Sequence, residues 1–166
     1  MNRSSVPAIA GGVITSRSAA ETRAVGRLLG RLAAPGTLLA LTGPLGAGKT
    51  QLAKGVAEGL GVESVVNSPT FILMNEHDGR LRLFHADAYR LGDPEEAVAA
   101  GLLDERQASG VTVVEWADRL EGWLPEDRLE ITIALEPADS RSRILRWRAR
   151  GEAATTLAAT ALGAGR

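Results

Sequence analysis

Residues 43–50 read Gly43, Pro44, Leu45, Gly46, Ala47, Gly48, Lys49, Thr50, the pattern G-x-x-x-x-G-K-[ST] of a phosphate-binding loop. A polyphosphate needs several backbone N–H groups converging on it, and glycines let the main chain come that close. Gly46 and Gly48 supply this freedom. Leu45, Gly46, Ala47, Gly48, Lys49 and Thr50 are the expected nucleotide contacts. Lys49 brings positive charge to the outer phosphates, Thr50 offers a hydroxyl to Mg²⁺, and the helix that starts there turns its N-terminal dipole toward the anion. The flanks agree with the loop. An apolar run, Leu38 to Leu41, precedes it as a buried strand, and Leu52, Val56 and Leu60 follow at helical spacing before Gly59 and Gly61.

Composition narrows the class. A chain of 166 residues is long enough for one domain with its own core. It has no cysteine, which excludes disulfides, thiol catalysis and cysteine-ligated zinc, and its two histidines, His77 and His85, do not make a zinc site alone. No run approaches the ~18 apolar residues of a membrane helix, and the first twelve residues lack the apolar core of a signal peptide. The expectation is a soluble, cytoplasmic protein with no membrane partner. A net charge of -1 argues against a protein whose main task is to coat nucleic acid. Only Lys49 and Lys54 are lysines, so an N-K-x-D guanine-reading motif is missing, which argues against a GTPase of the common type.

Taken in order, Val13 to Thr15 predicts a short strand, and Ser18 and Glu21 are spaced as a capping box. The helix that follows is expected to cover the sheet with Ala24, Val25, Leu28, Leu29 and Leu32 on its buried face and Arg23, Arg27 and Arg31 on another. Beyond the loop helix, Phe71 to Glu76 and Leu81 to Ala86 flank His77-Asp78-Gly79-Arg80, a hairpin signal. Antiparallel strands are therefore inserted directly after the loop unit, and Asp87 ends the second of them. If that strand joins the sheet beside the loop strand with its end toward the phosphates, Asp87 can orient an attacking water.

Asp93, Pro94 and Glu96 mark a helix start running toward Leu103. Val111 to Val114 is a second buried strand that ends on Glu115-Trp116, and an acid at such a tip is the pattern that holds Mg²⁺ or its water in P-loop enzymes. Leu129 to Leu135 and Ile144 to Ala149 predict two more strands. In the second, Leu145, Trp147 and Ala149 alternate with Arg146, Arg148 and Arg150, which reads as a solvated sheet face rather than an RNA contact. The fold class is α/β: a single-domain P-loop fold with a mixed parallel and antiparallel sheet flanked by helices. The expected division is a flexible N-terminus at 1–12, the P-loop domain at 13–150, and an Ala-rich tail at 151–166, helical or disordered.

GPLGAGKT at 43–50, NSPTF at 67–71, HADAYRL at 85–91 and VVEWADRL at 113–120 together resemble the TsaE (YjeE) family of bacterial P-loop ATPases. That family works in making threonylcarbamoyladenosine beside the anticodon of tRNAs that read ANN codons. The similarity spans roughly residues 13–137. It implies a Mg²⁺-dependent ATPase, slow alone, that serves a complex with the TsaB and TsaD proteins and meets tRNA through that complex. By the same likeness Lys49 and Thr50 hold phosphate and Mg²⁺, Glu115 holds the magnesium, and Asp87 is a further essential acid. Lys49, Asp87 and Glu115 are thus the implied catalytic group. Ser68, Pro69 and Thr70 look like the family's switch-like loop, and Trp116 is matched as well.

The chain departs from the family pattern at Pro44, where Asp is usual, at Gln51, often a second Thr, and at Ala86-Asp87-Ala88-Tyr89-Arg90 in place of F-D-L-Y-R. Pro44 removes both an acid and a backbone donor. Two other readings stand beside the ATPase: a small-metabolite P-loop kinase, and a nucleotide-binding regulator that never hydrolyses ATP.

Overall fold

The computed structural model describes residues 10–67, 74–99, 101, 102 and 104–163. The chain runs β1 (Ala10–Ser16), α1 (Ala19–Leu32), β2 (Leu38–Thr42), α2 (Lys49–Gly59), β3 (Met74–His77), β4 (Leu83–Asp87), α3 (Pro94–Ala99), β5 (Val111–Glu115), β6 (Arg128–Glu136), β7 (Asp139–Arg150) and α4 (Glu152–Leu162). Short 3-10 turns lie at Glu105–Ser109 and Ala117–Leu120. Among the described residues the strands form one sheet in the order β1-β7-β6-β2-β5-β4-β3. β2 is parallel to both of its neighbours, and β4 is parallel to β5. The pairs β1/β7, β6/β7 and β3/β4 are antiparallel, so this is the mixed sheet that the sequence predicts. The switch-like loop Ser68, Pro69 and Thr70, and the first half of the expected hairpin strand, lie outside the described residues.

Strand composition follows from which faces are covered. Leu39 and Leu41 of β2 enter one core with Leu52, Val113, Ile131 and Leu145, while Leu38 and Ala40 enter a second with Ala86, Val114 and Leu120. Alternate residues of one strand thus serve opposite faces, and a strand buried on both reads as unbroken apolar sequence. Burying leucines such as Leu39, Leu41 and Leu52, each 0% exposed, contributes about 1.5–3 kcal/mol apiece. β7 alternates instead. Leu145, Trp147 and Ala149 are buried while Arg146 and Arg148 are exposed, so the arginine row is a solvated face.

The first helix differs from expectation. Ser18 caps it as predicted, its Oγ accepting from the Glu21 amide at 3.1 Å. Leu28 and Leu32, however, are 40% and 42% exposed, and the buried residues are Thr22, Gly26, Leu29 and Gly30. Rather than laying a leucine face on the sheet, α1 crosses α2 backbone against backbone. Gly26 and Gly30 meet Gly55 and Gly59, and a Cβ on any of the four would overlap a main-chain atom of the other helix. Arg23 and Arg27 flank the crossing and both donate to Glu58 of α2. The glycines at i and i+4 of each helix fix this approach, since nothing larger lets two helix backbones come so near.

The hairpin loop is longer than predicted. His77 pairs with Leu83, leaving 78–82 as the connection. Its length serves docking: the Arg80 amide donates to the Leu60 carbonyl, and the Arg80 guanidinium donates to the carbonyls of Gly30, Arg31 and Ala33. A cation thus closes the C-terminus of α1, where unsatisfied carbonyls gather. At the chain's far end, Asp127 accepts from the amides of Ala153 and Ala154 and so caps α4, whose Ala154, Leu157 and Ala158 complete the first core.

Candidate functional site

β2 ends at Thr42, and the chain turns through 43–48 into α2. Gly46 and Gly48 take φ of 77° and 113°, a region that a side chain makes costly. A Cβ on Gly46 would meet nothing within 4 Å, because the loop opens on a cavity of about 430 Å³. Gly46, Gly48, Lys49, Thr50, Asp87 and Glu115 line it, and Leu45, Gln51, Tyr89 and Trp116 complete its wall. Topology explains the gathering. β2, β4 and β5 run parallel, so the loop after β2, Asp87 at the end of β4 and Glu115 at the end of β5 share one edge of the sheet.

Apart from Ser68, Pro69 and Thr70, the expected site residues lie among those described. Thr50 Oγ1 donates to Glu115 Oε1 at 2.8 Å, which joins the start of α2 to the tip of β5. Glu115 is 2% exposed. The Lys49 ammonium donates to the carbonyls of Gly43 and Pro44 at 2.6 and 2.9 Å and lies 4.1 Å from the Trp116 ring centroid. Lys49 is only 5% exposed. Burial pulls its pKa below the usual lysine range, against the opposing charges of Glu115, Asp87 and Asp118. Ala47 is apart from the cavity: it is fully buried in the core, and its amide donates to the Pro44 carbonyl at 3.1 Å. Pro44, which has no N–H to give, therefore contributes its carbonyl to both Lys49 and Ala47.

Asp87 corrects one expectation. Its strand lies not beside β2 but one strand further out, with β5 between. It still reaches the cavity, because Asp87 and Glu115 are register partners. Asp87 Oδ1 also accepts from the Tyr89 amide at 2.9 Å, an Asx turn that sends the chain away from the sheet. Trp116 is the one non-glycine residue with positive φ among those described, at 58°. Backbone conformations of this kind gather at functional sites. Here the bend swings the indole back over Lys49, with the Tyr89 ring 4.8 Å from it.

Two residues escape sequence reading. His85 is fully buried on β4, with Nε2 2.6 Å from Glu115 Oε2. Its spacing of two from Asp87 in a strand was the available signal, since it sets both side chains on one face. Arg143 of β7 donates through Nε to the Ala47 carbonyl at 3.0 Å and through Nη2 to Gly46 at 3.5 Å. No local pattern marks a contact across 96 residues of sequence. In a trans peptide the carbonyl and the next N–H point opposite ways, so holding the Ala47 carbonyl also fixes the direction of the Gly48 amide.

The residues fit a magnesium nucleotide. Gly46 and Gly48 hold the loop in a conformation that side chains make costly, and the donors beside it, a hydroxyl and a carboxylate, are the hard oxygens that Mg²⁺ prefers. Among the described residues no group of three or more His, Asp or Glu side chains could hold a metal by itself. Among the same residues no helix is long and apolar enough to cross a membrane.

Comparison with known proteins agrees with this architecture. A family model described as threonylcarbamoyl adenosine biosynthesis protein TsaE matches residues 16–144. The Bacillus subtilis (strain 168) protein named tRNA threonylcarbamoyladenosine biosynthesis protein TsaE is 47% identical over 122 residues, covering 73% of this chain and 76% of that one. The Streptomyces coelicolor protein of the same name is 40% identical over 126 residues, 74% of this chain and 84% of that one. In structure, the chain is similar to Bacillus subtilis YdiB at a TM-score of 0.77 and 33% identity, with 93% of this chain and 96% of that one covered. With its glycine loop, its parallel β2-β5-β4 core and relatives matched over most of their length, this chain belongs to the TsaE family.

Proposed function

We propose that the chain binds and hydrolyses Mg-ATP as a component of the machinery that makes threonylcarbamoyladenosine in tRNA, working in the cytoplasm with TsaB and TsaD. The observation that carries the reading is the Thr50–Glu115 hydrogen bond at the mouth of the glycine loop. It places a hydroxyl and an acid side by side where the loop presents its amides, which is the arrangement P-loop ATPases use. Gly46 and Gly48 let the backbone approach the phosphates. Lys49 supplies countercharge, and Thr50 with Glu115 holds the metal side. Mg²⁺, when bound, neutralises charge on the phosphate oxygens. Asp87, the register partner of Glu115 at the cavity wall, would orient a water and accept its proton.

The test is phosphate release from ATP by the purified protein alone, with TsaB and TsaD, and with a panel of small acceptors. The expected result is slow turnover that rises when the partners are added. Full activity without them, or phosphate transfer to an acceptor, favours a kinase. Binding without release under every condition favours a regulator.

A further inference from the structure

His85 has a chemical role that the ATPase reading does not use. It stands in the middle of β4, 0% exposed, where its register partners are Asn75 on β3 and Val113 on β5. Glu115 is two residues beyond Val113 on the same face of β5, a diagonal neighbour that a ring-bearing side chain can reach. The Nε2–Oε2 distance is 2.6 Å. With Glu115 ionised, its carboxylate only accepts hydrogen bonds and the imidazole Nε2–H is the donor. The other oxygen of Glu115 takes the Thr50 hydroxyl at 2.8 Å. A continuous run thus crosses from the centre of β4 through the tip of β5 to the first turn of α2.

As a core residue alone, His85 is a poor choice. Its Nδ1 is buried with no hydrogen-bond partner among the described residues, and a buried polar atom without a partner is destabilising. The strand neighbours on its two sides, Phe84 and Ala86, are apolar. What the imidazole adds over a leucine is a directed donor to one carboxylate. A glutamate side chain has several staggered rotamers in general, and only some of them would bring Oε1 to Thr50.

The geometry points to His85 as a positioning residue for the metal side of the site. Its Nε2–H fixes the Glu115 carboxylate so that Oε1 faces Thr50 and the cavity. Partners of this outer kind orient metal-side carboxylates, and their loss costs about 10–100-fold in metal affinity. The inference rests on the Mg-nucleotide reading of the site.

The experiment is a Mg²⁺ titration of binding of the non-hydrolysable analogue adenylyl imidodiphosphate, followed by calorimetry, with melting temperature measured on each protein. His85→Leu keeps an apolar core and removes the donor. His85→Asn keeps a polar side chain whose amide falls short of Glu115, and serves if the leucine variant does not fold. His85→Gln carries an N–H at about the reach of Nε2. Leucine and asparagine are expected to raise the Mg²⁺ needed for half-maximal binding by about tenfold, with glutamine within about threefold of the parent. In a Glu115→Gln background, His85→Asn is expected to add no further change, because its effect passes through that carboxylate. A parent-like titration in His85→Asn overturns the assignment, and so does an equal added loss in the Glu115→Gln background. If the parent itself binds the analogue with no Mg²⁺ dependence, the metal-site reading falls together with the inference. If the parent is Mg²⁺-dependent and the His85 variants match it, only the inference falls.

Discussion

Asp87 and Glu115 stand opposite one another in the parallel ladder of β4 and β5, two carboxylates at neighbouring strand ends with Lys49 close enough to feel both. Their surroundings differ. Glu115 is buried and bonded to Thr50 and His85, whereas Asp87 is partly exposed at the cavity wall. Under the proposed function, Glu115 is the acid on the metal side and Asp87 the one that orients water. Asp87→Asn is therefore expected to bind ATP nearly as the parent does while losing hydrolysis by at least about tenfold, or ~1.4 kcal/mol of barrier. Melting temperature, ATP affinity and single-turnover rate together check it. A lowered melting temperature with an unchanged rate per folded molecule would assign Asp87 to the fold instead.

Arg143 ties β7 to the phosphate loop through the carbonyls of Ala47 and Gly46. Arg143→Ala frees those peptides to rotate. Nucleotide affinity is expected to fall by about tenfold, in line with losing a charge-assisted hydrogen bond of ~1.5 kcal/mol. The loss should be similar for ADP and ATP, since the loop amides serve both. Calorimetry with each nucleotide decides it, and an unchanged affinity would make the contact incidental.

The crossing of α1 and α2 has no room for a methyl group. Gly55→Ala would drive a Cβ into the Arg23 carbonyl, forcing the helices apart at a cost of about 1–3 kcal/mol. Because α2 begins at Lys49, its displacement should also weaken nucleotide binding, although Gly55 lines no part of the cavity. Denaturant unfolding measures the first effect and calorimetry the second. Parent-like stability would show that the helices yield easily.

Glu58 receives Arg23 and Arg27, and these hydrogen bonds hold its carboxyl below the ordinary value of 4.5. An acid whose pKa is lowered by folding adds stability above its unfolded value and loses it as pH falls through the folded one. Side-chain exposures of 32–41% mean solvent screens the pair, so Glu58→Gln should cost only about 0.5 kcal/mol near neutral pH. The gap between variant and parent should close as the pH drops below 4.5. Unfolding curves across that range test the sign, and a gap that stays constant down to about pH 3 would refute the assignment.

The sequence by itself determined whatever depends on local chemistry. The glycine pattern of 43–50, the apolar run before it and the acid ending Val111 to Val114 were legible because backbone freedom, strand burial and charge at a strand tip are written within a few residues. The Ser18 cap and the alternation of β7 were legible for the same reason. Tertiary structure decided the rest. That β5 lies between β2 and β4, putting Asp87 across from Glu115, depends on strand order, which no local period encodes. The face that α1 buries was legible only in part: Leu29 and Val25 meet the core as expected, but Leu28 and Leu32 are exposed because four glycines bring the two helix backbones together beside them. His85 and Arg143 became readable only when strands distant in sequence met. A hydrogen bond between strands depends on register and a shared face, and both are set by how the whole sheet packs.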